Sequence, residues 1–395
     1  MLSWEETPSI SSMRWERAWV EVNLSAIAHN VRQIRTLLPP NTELMAVIKA
    51  DAYGHGAVSV ARTVLKAGAS RLGVATIPEG IELREAGIRS PILVLGATYT
   101  PEQLQAMSRW QLEPTLCSPK QALVFAESCR DRPIPVHLKL DTGMSRLGVP
   151  WQEAAQFVEL VRGLPHLKIA SIYSHFATAD SPDRAVMDLQ HGRFRQAIAQ
   201  IRELGLELPP LHLANSAATL SDRATHYDLV RVGLAIYGLY PAPHLSGAIA
   251  LQTALQVKAR VTQVKTVAAG TGVSYGHRFV TDRETRLAVV GIGYADGVPR
   301  HLSDRMQVLI RGGRVPQVGA ITMDQIMLDV TDIPQVDVGD VVTLLGRDGD
   351  ETISADDWAA TLGTISWEIL CGFKHRLPRV AIAEERRPRE SKLRS

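Results

Sequence analysis

The chain has 395 residues, 45% of them hydrophobic, which is enough for two domains with substantial cores. Its 43 Lys and Arg against 41 Asp and Glu leave a formal net charge of +2, so charge gives no case for a nucleic-acid or membrane-surface partner. Cys117, Cys129 and Cys371 are an odd, sparse set without metal-ligand spacing, which fits a reducing, cytoplasmic setting better than a disulfide framework, and no metal is expected.

Residues 1–17 form a polar stretch without the apolar core of a secretory signal and read as an N-terminal tail, within which Met13 is a candidate alternative start. No run approaches the roughly 18 apolar residues of a membrane helix. Residues 18–252 are expected to hold a (β/α)8 barrel. An apolar strand at Ala18–Val22 comes first and is surplus to the eight, so it can join a second domain. The helix Ser25–Leu38 follows, with Ile27, Val31, Ile34 and Leu37 on one face. Eight short apolar runs then alternate with amphipathic stretches: Leu44–Ile48, Leu72–Ala75, Ile92–Leu95, Leu112–Leu116, Val136–Leu140, Ile169–Tyr173, Leu211–Ala214 and Leu229–Val232. Segments such as Trp151–Arg162 and Arg184–Leu204 read as the intervening helices, and buried parallel strands read as continuous apolar runs.

Residues 253–383 change character. Leu255–Val267, Leu287–Ile292, Gln307–Arg311 and Val341–Leu345 are strand-like, and one helix is expected over Ser354–Ile369, giving a mostly β C-terminal domain. Residues 384–395 are a charged tail. The Ser391-Lys392-Leu393 tripeptide is followed by Arg394 and Ser395, so it is not expected to act as a peroxisomal address.

Chemistry-bearing residues gather at the expected carboxyl ends of the barrel strands, where barrel enzymes place their catalysts. The first strand runs into VIKADAYGHG, residues 47–56, which sets Lys49 at the mouth. A single lysine at a strand end more often snorkels to solvent, whereas a partly desolvated one favours Schiff-base chemistry. HLKLDTGMSRLG carries Lys139 and Arg146, YSHFA carries His175, HLANSA carries His212, Asn215 and Ser216, and VRVGLAIYG carries Arg231, Gly233 and Leu234. Loops after the seventh and eighth strands of barrels often bind phosphate, and glycine lets backbone approach a ligand closely. Taken singly, Ser216 reads as a helix cap and His175 as a satisfied core histidine. Together they place a lysine, a phosphate cradle and an arginine around one mouth. In the second domain GTGVSYGHRF, residues 270–279, and GIGYADG, residues 291–297, are weak as nucleotide loops and read better as glycine-rich entries to a site.

These motifs resemble the alanine racemases, fold-III members of the pyridoxal-phosphate enzymes, from about Ala18 to Ile382, with VIKADAYGHG the most specific match. The resemblance implies that Lys49 binds pyridoxal 5'-phosphate covalently. Tyr53, Ser216 with Asn215, and the amides of Gly233 and Leu234 would then hold its phosphate. Arg231 would meet its pyridine nitrogen, with His175 close by. Arg146 would lie near the cofactor oxygen and the substrate carboxylate, and Lys139 is a position that some members carry as a carbamate. Tyr275 would be the second catalytic base, Tyr294 would stand near the entrance, and Met323, in VGAITMDQ, would meet the substrate carboxylate through its backbone. Two departures stand out: His375 occupies a position where familiar members place a tyrosine on the phosphate, and Ala320 replaces an entry-corridor arginine.

An arginine at the ring nitrogen donates a hydrogen bond but does not readily give up a proton, so the ring is a weaker electron sink. A less delocalised carbanion is reprotonated quickly at the α-carbon, which favours racemisation. Racemisation requires proton removal and delivery on opposite faces, hence two bases, Lys49 and Tyr275. A chain through His175, Arg231 and His212 is expected to support the tyrosine. The resemblance further implies a homodimer with shared sites, alanine as substrate, and D-alanine as the product destined for peptidoglycan. Other readings are a broader amino-acid (serine) racemase, a fold-III decarboxylase, and a non-catalytic cofactor-binding protein. Arg231 and Tyr275 argue against the decarboxylase, which typically uses an acid and a cysteine in those roles.

Overall fold

Runs such as Leu44–Val47 and Ile92–Val94 are apolar on both faces, and a strand of that kind is stable only when both faces are covered. The computed structural model, which describes residues 16–128 and 133–382, covers them by closing a parallel sheet. The segments read as tails therefore fall mostly outside the described residues, as does Cys129.

One compact unit comprises Ala26–Ala52 and Ala57–Gln252. Its strands are β2 (Glu43–Val47), β3 (Arg71–Val74), β4 (Ile92–Ala97), β5 (Glu113–Leu116), β6 (Ile134–Asp141), a two-residue β7 (Val149–Pro150) on the edge of β6, β8 (Leu167–Tyr173), β9 (Leu211–His212) and β10 (Leu229–Val232). The parallel order is β10-β2-β3-β4-β5-β6-β8-β9. The remaining seam is bridged where Asp228 N–H donates to the Leu211 carbonyl at 3.1 Å and Arg231 N–H to that of Ala214 at 3.0 Å. The result is a nearly closed eight-stranded barrel of the TIM type. Asn30 donates to the carbonyls of Ile236 and Gln252, fixing the first helix, Leu24–Leu37, beside the last barrel segment.

The other unit takes the described residues 16–25, 53–56 and 253–382. It is mostly β: β1 (Ala18–Asn23) lies between β11 (Leu255–Val267), antiparallel, and β20 (Arg379–Ile382), parallel. The long β11 serves two ladders because a bulge between Val261 and Gln263 turns it. Its first half pairs with β18 (Val341–Asp348) and its second with β14 (Thr285–Val290). A hairpin of β12 (Gly272–Val273) and β13 (Phe279–Val280) comes next, then β15 (Gln307–Ile310), β16 (Gly313–Pro316), β17 (Ile326–Asp329) and β19 (Glu351–Ile353). The single helix expected over Ser354–Ile369 is in fact two, Ala355–Leu362 and Ser366–Gly372. Gly363 stops the first in a left-handed C-cap at φ 70°.

Among the described residues no helix is long and apolar enough to cross a membrane.

Candidate active site

β2 ends at Val47, Ile48 is buried, and the half-buried Lys49 opens a short helical turn, Lys49–Gly54. That turn is left-handed: Ala50, Asp51, Ala52 and Tyr53 have φ between 52° and 55°. Each L-residue in such a conformation costs about 1–2 kcal/mol, so four in succession cost about 4–8 kcal/mol. The surroundings hold the turn in place. Ala52 N–H donates to the Ile48 carbonyl at 3.0 Å, and Ala57 N–H to Asp51 Oδ1 at 2.7 Å. Ala50 N–H donates to Glu79 Oε1 at 2.8 Å, while Glu79 Oε2 accepts from the N–H groups of Ala75 and Thr76. Backbone strain of this size persists only where the fold over-determines it, typically at functional sites. Nothing in the sequence at 50–53 announces it, since no glycine or asparagine stands there.

Around the same mouth the barrel gathers cations and imidazoles. Arg231, buried on β10, donates through Nη1 to His212 Nδ1 at 2.9 Å. Its Nη2 faces the carbonyls of Ser174 and Leu213 and the Nδ1 of His175 at 3.1 Å. Among the described residues no carboxylate pairs with it. Burial lowers its pKa to about 10, which leaves it charged at neutral pH. Burial, then the Arg231 charge, hold both His175 and His212 well below the ordinary histidine range, so both are neutral. Tyr173 stacks on His212 at 4.6 Å and lies under Lys139 Nζ at 4.9 Å and the Arg231 guanidinium at 5.1 Å. Lys139 is lowered to about 8, by burial first and then by the Arg231 charge. Arg146 is exposed on a turn whose backbone is held by Asp141 Oδ1, which accepts from Gly143 and Ser145.

The last two strand ends meet. Asn215 caps the helix Ser216–Ser221 by accepting from Ala218 N–H at 3.0 Å, so its side-chain oxygen serves the backbone here. Ser216 Oγ accepts from Gly233 N–H at 3.0 Å, and Leu234 opens the 3-10 turn Leu234–Tyr237. Tyr237 Oη donates to the Val47 carbonyl, tying that turn to the strand before Lys49.

The remaining candidates belong to the β-rich unit. Tyr275 is 73% exposed at the start of a 3-10 turn, after Ser274, whose φ is 63° and whose Oγ donates to the Ala320 carbonyl. Tyr294 N–H donates to the Thr322 carbonyl and Ala295 N–H to that of Met323, so GIGYADG and VGAITMDQ are joined backbone to backbone. Gly293 permits this: a Cβ there would sit 2.3 Å from the Thr322 oxygen. The buried Asp296 locks the pair, taking two bonds from Arg17, at 2.6 and 2.9 Å, and one from Gly293 N–H. Met323 and Tyr294 are both exposed. Tyr53 is buried, and burial, with Cys371 nearby, raises its phenol. His375 is exposed between Lys374 and Arg376, and Arg376 pairs with Asp324 at 2.5 Å. Sequence reasoning passed over Glu79, Asp296 and Tyr173. The alternation of HLKL and SIY, which turns His137 and Lys139 or Ser171 and Tyr173 to one face, was the available signal for the last.

Residues 22–241 match the family model "Alanine racemase, N-terminal domain", and residues 254–381 match "Alanine racemase, C-terminal domain". The chain is 67% identical to the alanine racemase of Nostoc sp. over 93% of its length and 96% of that protein's. It is 60% identical to that of Synechocystis sp. over 93% and 99%. The crystal structure of alanine racemase from Bacillus anthracis with bound L-Ala-P superposes with a TM-score of 0.89 at 38% identity, covering 94% of this chain and 96% of that one. The chain belongs to the alanine racemase family of isomerases.

Proposed function

We propose that this enzyme interconverts L- and D-alanine with pyridoxal 5'-phosphate, using Lys49 and Tyr275 as bases on opposite faces of the α-carbon. The observation that carries the reading is the barrel mouth. There a half-buried lysine on a strained turn shares the strand ends with an arginine bound to two neutral imidazoles and, among the described residues, to no carboxylate. The donor set fits the cofactor: an amine for its aldehyde, the Ser216 hydroxyl beside backbone amides for its phosphate, and Arg231 for its ring nitrogen. When bound, the cofactor supplies an electron-accepting ring that acidifies the α-hydrogen of the attached amino acid.

Each residue then has a task. Lys49 Nζ holds or delivers the proton on one face and Tyr275 Oη on the other. Arg231 remains charged and donates only a hydrogen bond, which leaves the ring nitrogen unprotonated and favours return of the proton to the α-carbon. His175, neutral with Nδ1 accepting from Arg231, keeps its hydrogen on Nε2. Ser216, Asn215, Gly233, Leu234, Tyr53 and His375 hold the phosphate, while Arg146 and Met323 receive the substrate carboxylate and Tyr294 lines the approach. A carbamate at Lys139 would set a negative charge between Arg231 and Arg146, whose charges, with burial, already favour the neutral amine that reacts with carbon dioxide. The exposure of Tyr275, Tyr294 and Met323 supports a homodimer in which each chain completes its partner's site. The setting is cytoplasmic, and the product serves peptidoglycan.

The test is polarimetric. Purified protein supplied with the cofactor is incubated separately with L-alanine and D-alanine. Decay of both rotations to zero supports the reading, and unchanged rotation of both refutes it.

A further inference from the structure

Barrel interiors are ordinarily filled by layers of branched apolar side chains. Met45, Leu93 and Leu229 do this on one side of the barrel. On the other, five successive strands turn polar groups inward: Glu113 from β5, His137 from β6, Ser171 from β8, His212 from β9 and Arg231 from β10. They form one unbroken hydrogen-bonded chain. Glu113 Oε2 meets His137 Nε2 at 2.8 Å, His137 Nδ1 meets Ser171 Oγ at 2.6 Å, Ser171 Oγ meets His212 Nε2 at 2.7 Å, and His212 Nδ1 meets Arg231 Nη1 at 2.9 Å. The four members from His137 to Arg231 are buried. At its far end, His137 and Ser171 line a cavity of about 490 Å³, together with Glu43, Arg71 and Leu211, which are the first residues of β2, β3 and β9. That cavity lies at the amino ends of the strands, opposite the mouth that holds Lys49.

The polarity of the chain follows from its ends. An arginine cannot accept, so Nη1 donates and His212 Nδ1 is a bare lone pair. The neutral His212 ring then carries its hydrogen on Nε2 and gives it to Ser171. The serine hydroxyl passes its own hydrogen to His137 Nδ1, and His137 Nε2–H goes to a carboxylate that only accepts. Burial works against the charge of Glu113, but the hydrogen bond from His137, with the nearby Arg71 and Arg84 charges, holds its carboxyl below its ordinary range. Because Arg231 stays protonated, the chain conducts no proton to the mouth. It transmits orientation.

We propose that Glu113, His137 and Ser171 are positioning residues for Arg231: anchored by the carboxylate at the far end of the chain, they hold His212 in its Nε2–H form, so that its Nδ1 lone pair fixes the guanidinium at the mouth. The catalytic consequence rests on the reading of Arg231 as the partner of the cofactor ring, whereas the hydrogen arrangement does not.

The experiment is 15N NMR of the full-length, histidine-labelled protein, recorded with and without added pyridoxal 5'-phosphate, with His212 assigned by its loss in His212→Asn. The wild type is expected to show His212 protonated at Nε2 and bare at Nδ1 in both states. Ser171→Ala and Glu113→Leu are expected to shift that signal toward a mixture of tautomers, and Glu113→Gln, whose amide oxygen still accepts, to restore it. In the loaded enzyme Ser171→Ala lowers kcat about tenfold and changes KM for alanine by less than about twofold. A wild-type hydrogen on Nδ1, or a His212 signal unmoved in both Ser171→Ala and Glu113→Leu, overturns the proposal. The expected tautomer in a protein that fails to bind the cofactor supports the relay and counts against the functional reading instead.

Discussion

Lys139 shows how one side chain reports on its surroundings. Burial and the Arg231 guanidinium bring its amine from the usual lysine range down to about 8. A folded-state pKa below the unfolded one means that the unfolded chain binds more protons between pH 8 and the ordinary lysine value. On this group alone, stability therefore rises with pH across that window and the contribution is lost as pH falls through about 8. Carbamate formation needs the neutral amine, so it follows the same direction. In 13C-bicarbonate a carbamate resonance is expected to grow from pH 7 to 9 and to be missing in Lys139→Ala; a resonance equally strong in both proteins would place the carbamate elsewhere. At this scale much of the site was legible, because a lysine or arginine at the end of an apolar run is out of place in a core. Glu79 and Asp296 were not legible, because their partners are backbone amides and residues far off in sequence, such as Arg17, that no local pattern points to.

At the scale of elements, the left-handed turn after β2 is the feature that sets Lys49 apart from an ordinary strand-end lysine. Its strain is offset locally, and Glu79 contributes through one carboxylate that accepts from Ala50, Ala75 and Thr76. Glu79→Ala is expected to destabilise the protein by about 2 kcal/mol in urea denaturation, since hydrogen bonds to charged groups are worth about 1.5–3 kcal/mol where buried and less where exposed. The same variant should retain less cofactor, while Glu79→Gln, with one acceptor oxygen left, should fall between the two. Unaltered stability and cofactor content in Glu79→Ala would remove it from the support of the turn. Strand existence was readable from apolar runs, but handedness was not, because Ala50, Ala52 and Tyr53 carry no preference for positive φ. In the β-rich unit β16 (Gly-Arg-Val-Pro) and β19 (Glu-Thr-Ile) escaped a pattern reading because each offers a single Val or Ile and so no apolar run. Gly363 was visible in the sequence, yet glycine is tolerated inside helices often enough that its stop signal was overridden by the run Ser354–Ile369.

At the scale of the whole molecule, the barrel was legible because its strands repeat a unit, whereas the β-rich unit assembles itself from distant parts. β1, β11 and β20 come from the beginning, middle and end of the described chain, and no periodicity encodes such pairings. The same separation underlies the central claim, that Lys49 of one chain and Tyr275 of another act on opposite faces of one alanine. The most direct measurement uses two inactive proteins, Lys49→Ala and Tyr275→Phe, unfolded together in equal amounts and refolded as a mixture. Half of randomly formed dimers are mixed, and in each of these one site collects both defects and the other neither. Racemase activity should therefore return to about a quarter of the wild-type level. If mass spectrometry shows that mixed dimers have formed and the mixture remains inactive, each chain builds its own site and the two-chain mechanism is wrong.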